Sequence, residues 1–218
     1  MTQRVATENI DVRCQRGRHE NVEMTSGKRV RLPAAPELTD GPDLVLRRPR
    51  PDDVEDMVEQ CRDPEVQRWT TVPVPYHETD AHEFLKRVSD GWQANVATFA
   101  IVYAGRFSGS LDLRFDGVGG AEVGFGLGPW ARGQGVMSRA LRRVLVWGFE
   151  LPGLEVVHWK AQVGNWASRR VAGRCGFRME GTVRGLLEQR GERRDGWIGS
   201  LRRGDPMTGQ PDSDVAKE

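Results

Sequence analysis

A glycine-rich turn carries the residues whose types and spacing most directly predict ligand binding. The turn reads Arg132-Gly133-Gln134-Gly135 and stands between an apolar stretch with the alternation of a strand and one with the period of a helix. The first N–H groups of a helix lack partners within it and lie at the positive end of its dipole, so phosphate oxygens bind well there. Gly133 and Gly135 leave that approach unobstructed, while Arg132 and Gln134 offer side-chain donors. We therefore expect an anion to bind where this helix begins.

The turn does not match the usual nucleotide-binding motifs. GxxxxGK[ST] requires a lysine that the turn lacks, and GxGxxG requires a βαβ unit followed at a set distance by an acidic residue. The sequence therefore predicts a phosphate-bearing ligand of another kind.

Two stretches resemble the GNAT superfamily of N-acetyltransferases. Residues 132–137 are similar to its Arg/Gln-x-x-Gly-x-Gly/Ala signature, with Met137 where a small residue is usual. Residues 165–181 are similar to the Asn-x-x-Ser…Gly-Phe…Glu-Gly stretch of the RimJ/RimL-like branch, which includes ribosomal-protein N-terminal acetyltransferases. The resemblance covers residues 43–203. It implies an α+β fold, the three-layer α/β/α GNAT fold, whose mixed, mostly antiparallel central sheet is splayed between strands 4 and 5 and has helices on both faces.

The resemblance also implies acetyl-coenzyme A as the co-substrate. Its pyrophosphate would bind at the glycine-rich turn, and its pantetheine arm would bind where the two central strands separate. The residues implied to bind it are Phe125, Gly126, Leu127, Arg132, Gly133, Gln134, Gly135, Val136, Met137, Asn165, Ser168 and Arg174.

Acetyl transfer to an amine needs an unprotonated nucleophile, a stabilised oxyanion and a proton for the leaving thiolate. Lysine-type amines have a pKa of about 10.4 and peptide α-amines one of about 8, so a base helps the former most. Glu122 is the first candidate for the base, because the resemblance places its strand beside the thioester. A surface role or an anchor for the substrate amine is the alternative. Glu180 and Glu188 are weaker candidates, and Leu187 stands where some RimL-like enzymes have a glutamate.

Ser168 is the residue that the resemblance implies as proton donor to the thiolate. Ala172 stands where many superfamily members have a tyrosine for this step. A helix cap or an exposed serine is the alternative role for Ser168. Asn165 is expected to bond the pantetheine arm, to cap the following helix, or to do both.

Three other side chains have types that could take part in catalysis or binding. His158 lies in a predicted strand without a partner at a recognisable spacing, and Cys175 stands where relatives have a small apolar residue, so we expect both to be structural. Most of the tryptophans should be core residues. Trp69 is the exception, since the early helical region often forms a wall of the acceptor site in the superfamily.

Composition favours a cytoplasmic protein without a membrane span. Hydrophobic residues make up 38% of the 218 residues and charged residues 29%. No run approaches the roughly 20 apolar residues that span a bilayer, and the first residues lack the apolar region of a secretory signal. The three cysteines form no CxxC pair, which argues against disulfides and against a metal site.

The net charge is only +1, but arginines crowd the second half of the chain. The residues concerned are Arg139, Arg142, Arg143, Arg169, Arg170, Arg174 and Arg184. They indicate either an anionic ligand or a solvated surface. A nearly neutral chain without a recognised reading motif disfavours nucleic acid as the partner.

Hydrophobic periodicity predicts the order β-α-α-β-β-β-α-β-α-β-β for the elements that position these residues. Strands are predicted at 44–48, 99–103, 109–115, 121–127, 154–163, 177–188 and 197–202, and helices from Pro51, from about Thr79, from near Gly133 and over 166–175. Residues 1–42 are polar and interrupted by proline and glycine, which predicts a flexible N-terminal extension. Residues 43–203 are the predicted acetyltransferase domain, and residues 204–218 are the predicted C-terminal tail.

These observations predict an acetyl-coenzyme A-dependent N-acetyltransferase that acts by direct attack in a ternary complex. Its acceptor would be a primary amine, either a protein N-terminus or a small molecule. A catalytically weak acyl-coenzyme A sensor or assembly module is the alternative, and an arginine-mediated nucleic-acid binder is a third. The acceptor, the acyl length and the choice between monomer and homodimer stay open.

Overall fold

The computed structural model describes residues 32–92 and 94–209, and its framework is one mixed sheet. The eight strands of this part of the chain follow the order β1-β2-β3-β4-β5-β6-β8-β7. They are β1 (Leu38–Thr39), β2 (Leu44–Arg47), β3 (Val96–Tyr103), β4 (Arg106–Phe115), β5 (Gly120–Leu127), β6 (Val156–Gln162), β7 (Arg178–Gln189) and β8 (Glu192–Arg202). Neighbouring strands are antiparallel except for β5 and β6, which are parallel. The mostly antiparallel sheet expected from the sequence is confirmed.

Helices cover both faces of the sheet, as predicted. They are α1 (Val54–Arg62), α2 (Pro64–Trp69), α3 (Glu78–Gly91), α4 (Val136–Glu150) and α5 (Trp166–Arg174). Successive side chains of a strand point to opposite faces. On β3, Phe99 and Ile101 accordingly pack in the large core with α4, whereas Ala100 packs in a smaller core with Met57 of α1 and Ala81 of α3. The sheet therefore separates the α4 side from the α1 and α3 side.

Helix α4 forms where the sequence changes from a period of 2 to a period of 3.6. Met137, Leu141, Val144 and Leu145 lie on one face of the helix and are buried in the large core. This burial holds the helix, and with it the glycine-rich turn, against the sheet.

The order of elements differs from the prediction at two places before the main sheet. A short strand, β1, pairs with β2, and an additional helix, α2, lies between the two predicted helices. Asp63 caps α2 by accepting a hydrogen bond from Val66 N, and Pro64 occupies the first helical position. Neither element was predicted, because β1 has two residues and α2 has six, which are too few to show a hydrophobic period.

Helix α4 also begins later than predicted. Its first residue is Val136, because Gly135 adopts a left-handed backbone conformation with a φ of 76° and so serves as the N-cap. The residues before it form a short 3-10 turn, Pro129–Ala131, and a tight turn over residues 132–135.

The ends of the chain lie largely outside the described residues. Of the predicted extension 1–42, residues 1–31 are not described, while Leu38 of β1 is buried in the large core. Of the predicted tail 204–218, Met207 packs partly against this core, and its carbonyl accepts a hydrogen bond from Arg142 Nε at 3.3 Å. The division into extension, domain and tail stays a prediction.

Candidate functional site

The candidate site is built around the separation of β5 from β6. Their parallel pairing runs from Gly120 with Val156 to Val123 with Trp159 and ends there. Strand β5 continues to Leu127 and stays paired with β4 along this length. Because the hydrogen-bonding groups of a strand alternate between its two sides, residues 124–127 have strand partners toward β4 and none toward β6 in the described sheet. An extended ligand can bond this edge.

The glycine-rich turn brings an uncapped helix start to the end of β5. Gly133 and Gly135 have φ values of 75° and 76°, a left-handed conformation that glycine adopts readily. Gly135 offers no side chain to cap α4. Apart from each glycine and its two neighbours in the chain, no described atom lies within 4 Å of the position that a Cβ would take at Gly133 or Gly135. The N–H groups at the start of α4 thus lie beside open space, which suits an anion.

The side chains of Arg132 and Gln134 are bonded within the protein. Arg132 donates from Nη2 to Asp63 Oδ1 at 2.5 Å and from Nε to the carbonyl of Leu127 at 3.2 Å. Gln134 donates from Nε2 to the carbonyl of Trp130 at 2.9 Å. Both side chains therefore shape the turn in this structure, and their contact with a ligand stays a prediction.

Ser168 and Asn165 lie together at the start of α5. Asn165 Oδ1 accepts from the backbone N–H of Ser168 at 3.1 Å and so caps the helix. The Ser168 hydroxyl accepts from Nε1 of the buried Trp159 at 3.0 Å. An indole N–H only donates, so the hydroxyl hydrogen of Ser168 remains free to be donated elsewhere.

A cavity of about 430 Å³ joins these features. Of the predicted ligand-binding residues, its lining includes Phe125, Gly126, Leu127, Arg132, Gly133, Gly135, Val136, Met137, Asn165, Ser168 and Arg174. Gln134 and Glu122 are not part of the lining. The structure thus places the turn, the free edge of β5 and the Ser168 hydroxyl around one space.

One wall of this cavity was not predicted from the sequence, apart from Trp69. It is formed by α2 and the residue that follows it, through Glu65, Val66, Trp69 and Thr70. Among the described residues that line the cavity, Glu65 alone carries a carboxylate. The other residues of this wall were not predicted, because α2 lies about a hundred residues before Ser168 and no local pattern links the two segments.

Glu122 lies in a different cavity, which it lines with Arg114, His158 and Lys160. Its carboxylate accepts from Lys160 Nζ at 2.6 Å and from Arg114 Nη2 at 2.9 Å. Burial raises the pKa of Glu122, but the hydrogen bonds from Lys160 and Arg114 and their charges outweigh it, so the pKa lies below its ordinary value. The proposed role of Glu122 as a base stays a prediction.

Asp112, one strand away on β4, is a partly buried carboxyl that the sequence did not single out. Burial is the main reason that its pKa is raised to about 6. The neighbouring charge of Glu122 raises it further, while Arg114, which bonds the carboxylate, lowers it. The two carboxyls of this cluster thus have pKa values shifted in opposite directions.

We predict that Asp112→Asn changes the pH dependence of stability. A raised native pKa means that the folded protein binds more protons than the unfolded chain between the ordinary value of 3.8 and about 6, so wild-type stability falls as pH rises through this window. The variant lacks this loss. Its free energy of unfolding relative to wild type should therefore rise by about 2 to 3 kcal/mol between pH 4 and pH 7.5. Urea unfolding at both pH values measures the difference. A constant difference would contradict the assignment.

The remaining candidates have structural surroundings. Cys175 is buried, with its thiol against the carbonyl of Ser138 at 3.4 Å, and burial raises its pKa to about 11. Nδ1 of His158 is buried without a hydrogen-bond partner in the described structure. The described residues contain no group of three histidine, cysteine or acidic side chains that could hold a metal ion. Over the same residues, no helix is both long and apolar enough to cross a membrane.

Several arginines from the second half of the chain form ion pairs or hydrogen bonds within the protein. Arg139 pairs with Asp40 and Asp43 at 2.7 Å, and Arg143 donates to the carbonyl of Thr39. Arg170 and Arg174 differ, since both line the cavity that contains Ser168. The basic residues therefore divide between structural ion pairs and the candidate site.

Comparison with protein families gives a match over most of this fold. The model described as "Acetyltransferase (GNAT) domain" matches residues 43–178. The chain is 31% identical over 122 residues to "Putative ribosomal N-acetyltransferase YdaF" of Bacillus subtilis (strain 168), a match that covers 55% of this chain and 65% of that protein.

Solved structures share the fold at lower sequence identity. The RimL ribosomal L7/L12 α-N-protein acetyltransferase in complex with coenzyme A has a TM-score of 0.69 at 18% identity, covering 77% of this chain and 98% of that chain. The microcin C7 self-immunity acetyltransferase MccE in complex with acetyl-CoA and AMP has a TM-score of 0.68 at 20% identity, covering 74% and 93%.

Proposed function

Because the chain belongs to the GNAT acetyltransferase family, we propose that it transfers an acetyl group from acetyl-coenzyme A to a primary amine by direct attack in a ternary complex. The acceptor is a protein N-terminus or a small-molecule amine. Similarity to a protein named as a ribosomal N-acetyltransferase supports testing N-terminal peptides first.

The observation that carries this proposal is the cavity that brings the uncapped start of α4, the free edge of β5 and the Ser168 hydroxyl together. The start of α4 would hold the pyrophosphate, and the cationic side chains of Arg170 and Arg174 would add charge. The free edge would bond the amide groups of pantetheine. Coenzyme A and acetyl-CoA in complexes of proteins with this fold agree with such a ligand.

The proposed reaction conserves all atoms and charge. The protonated amine first loses one proton to a base, and its nitrogen then attacks the acetyl carbonyl, forming the C–N bond. An N–H group of the free β5 edge would stabilise the oxyanion. As the C–S bond breaks, Ser168 donates its hydroxyl hydrogen to the sulfur and recovers a proton from the nitrogen. The products are the acetylated amine and free coenzyme A.

Glu122 is the base that its strand position predicts. Glu122 lines a different cavity from Ser168, and the cationic side chains of Lys160 and Arg114 bind its two carboxylate oxygens. Proton transfer to Glu122 would therefore need to pass through water.

Thiol release from acetyl-CoA tests the proposal, measured with N-terminal peptides and alkylamines as acceptors. Acceptor-dependent release, with the acetylated product seen by mass spectrometry, is the expected result. Tight coenzyme A binding without release for any acceptor would instead support an acyl-CoA sensor. Binding to nucleic acid that weakens steeply with salt would support the third alternative.

A further inference from the structure

We infer that Glu65 is the carboxylate that receives the acceptor's amine and takes its first proton. The inference rests on the proposed function and adds to it a catalytic residue on α2. Glu65 lines the same cavity as Ser168, Phe125 and Gly126, and it is the carboxylate among the described lining residues.

Trp69 connects Glu65 to the Ser168 side of the cavity. Its Nε1 donates to Glu65 Oε2 at 2.9 Å, one helical turn away on α2. A Cβ built on Gly164 would lie 3.5 Å from Cη2 of Trp69, so the indole reaches from α2 to the residue that precedes Asn165. Asn165 in turn caps the helix that carries Ser168. Glu65 is therefore tied to the structure that holds the proposed acid.

The hydrogen bonding of the two glutamates favours Glu65 over Glu122 as the proton acceptor. Both oxygens of Glu122 are bound by cations, and its pKa is lowered, so it is a weak base. Glu65 has one oxygen bound by the neutral indole of Trp69. The guanidinium of Arg68 lies 3.7 Å from its other oxygen, and both side chains of this pair are more than half exposed, so solvent screens the pair. That oxygen remains accessible to an amine.

Two consecutive residues, the last of β7 and the one after it, hold α2 in place through hydrogen bonds. Gln189, at the end of β7, is buried and donates from Nε2 to the carbonyls of Arg68 at 2.9 Å and Thr70 at 2.7 Å. Arg190 donates to the carbonyl of Gln67 at 2.8 Å. The last carbonyls of a helix have no partner within it, so these bonds satisfy the end of α2 and fix the segment that carries Glu65.

In the inferred step, an ammonium proton of the acceptor passes to Glu65, which later releases it to water. The neutral amine then attacks the acetyl carbonyl. The second proton leaves the nitrogen after attack and, through Ser168, ends on the sulfur. One proton per turnover reaches the solvent, as the conversion of an ammonium ion and a thioester to an amide and a thiol requires.

Glu65→Gln tests the inference in the full-length enzyme, with Glu122→Gln and Glu83→Gln beside it. Glu83 is the matched control, an exposed glutamate on α3 that pairs with Arg87 at 3.8 Å and does not line the cavity. The acceptors are tetrapeptides that begin with serine or alanine. At pH 7, Glu65→Gln should lower kcat/KM for the peptide roughly 20-fold, less than for a lysine-type amine because a peptide α-amine has a pKa of about 8. Glu83→Gln should stay within about 3-fold of wild type, and Glu122→Gln should lose less activity than Glu65→Gln.

A pH comparison separates proton transfer from a structural role. At pH 9.5 most of the α-amine is already unprotonated, so the deficit of Glu65→Gln should shrink to less than about 3-fold. The Kd for coenzyme A should match that of wild type at both pH values. An equal deficit at both pH values, or a larger loss in Glu122→Gln, would overturn the inference and leave the proposed function intact. Wild type that binds coenzyme A and acetylates neither the peptides nor an alkylamine would overturn both.

Discussion

Gly135→Val should abolish coenzyme A binding at concentrations that saturate wild type, a loss of more than about 100-fold in affinity. The Cβ and methyl groups of valine would occupy the open space beside the first N–H groups of α4, where the pyrophosphate is proposed to bind. The φ of 76° also strains a β-branched residue, so the helix start would shift. Isothermal titration calorimetry with coenzyme A measures the effect.

Gly191→Val is the matched control for Gly135→Val. Gly191 has a φ of 80° in the turn between β7 and β8, and no described atom lies within 4 Å of its Cβ position. Both variants should lose a similar stability of about 1 to 3 kcal/mol from backbone strain. Only Gly135→Val should lose the ability to bind coenzyme A. If it binds within about 3-fold of wild type, the pyrophosphate does not lie at this turn.

Ser168→Ala should lower kcat about 100-fold while the Kd for coenzyme A changes less than about 3-fold. The reason is that alanine removes the hydroxyl hydrogen that is proposed to reach the thiolate, while the turn proposed to hold the pyrophosphate keeps its shape. The substitution also leaves Nε1 of the buried Trp159 without its partner, which costs about 1 to 3 kcal/mol of stability. Steady-state kinetics with a saturating peptide acceptor measures kcat.

The double variant Ser168→Ala with Trp159→Phe separates catalysis from stability. Replacing both partners leaves no buried donor unpaired, and the cavity left by the smaller phenyl ring offsets part of the stability that this restores. The double variant should have a kcat as low as that of Ser168→Ala. Recovery of kcat together with stability would show that Ser168 only supports Trp159.

The part of the candidate site formed by the glycine-rich turn and the start of α5 was largely predictable from the sequence. Its residues stand in two short segments, the turn at 132–137 and the helix start at 165–168, where local chemistry determines the backbone. Glycine at Gly133 and Gly135 permits the left-handed conformation, and Asn165 caps α5 through a residue three positions later. Such short-range interactions leave a pattern in consecutive residues, which a sequence displays directly.

The partners of individual side chains were not predictable in the same way. Arg132 was expected to face a phosphate, yet it donates to Asp63, which is 69 residues away in the chain. Glu122 was chosen from the position of its strand, but the Lys160 that binds it belongs to the parallel neighbour β6. Each partner depends on which strand or helix lies next to another, and residue types in one segment do not encode this.

The family, the alternation of strands and helices, and the turn before α4 can be predicted from short segments, because periodicity, glycine conformation and helix capping act over a few residues. The carboxylate that shares a cavity with Ser168 depends instead on how distant segments pack together. Glu65 comes from a six-residue helix whose end is held by Gln189, about 120 residues later, and such a contact forms only when the sheet brings both segments together. The separation of β5 from β6 creates the cavity that they enclose, so packing over long sequence distances selects the residues around the reacting atoms.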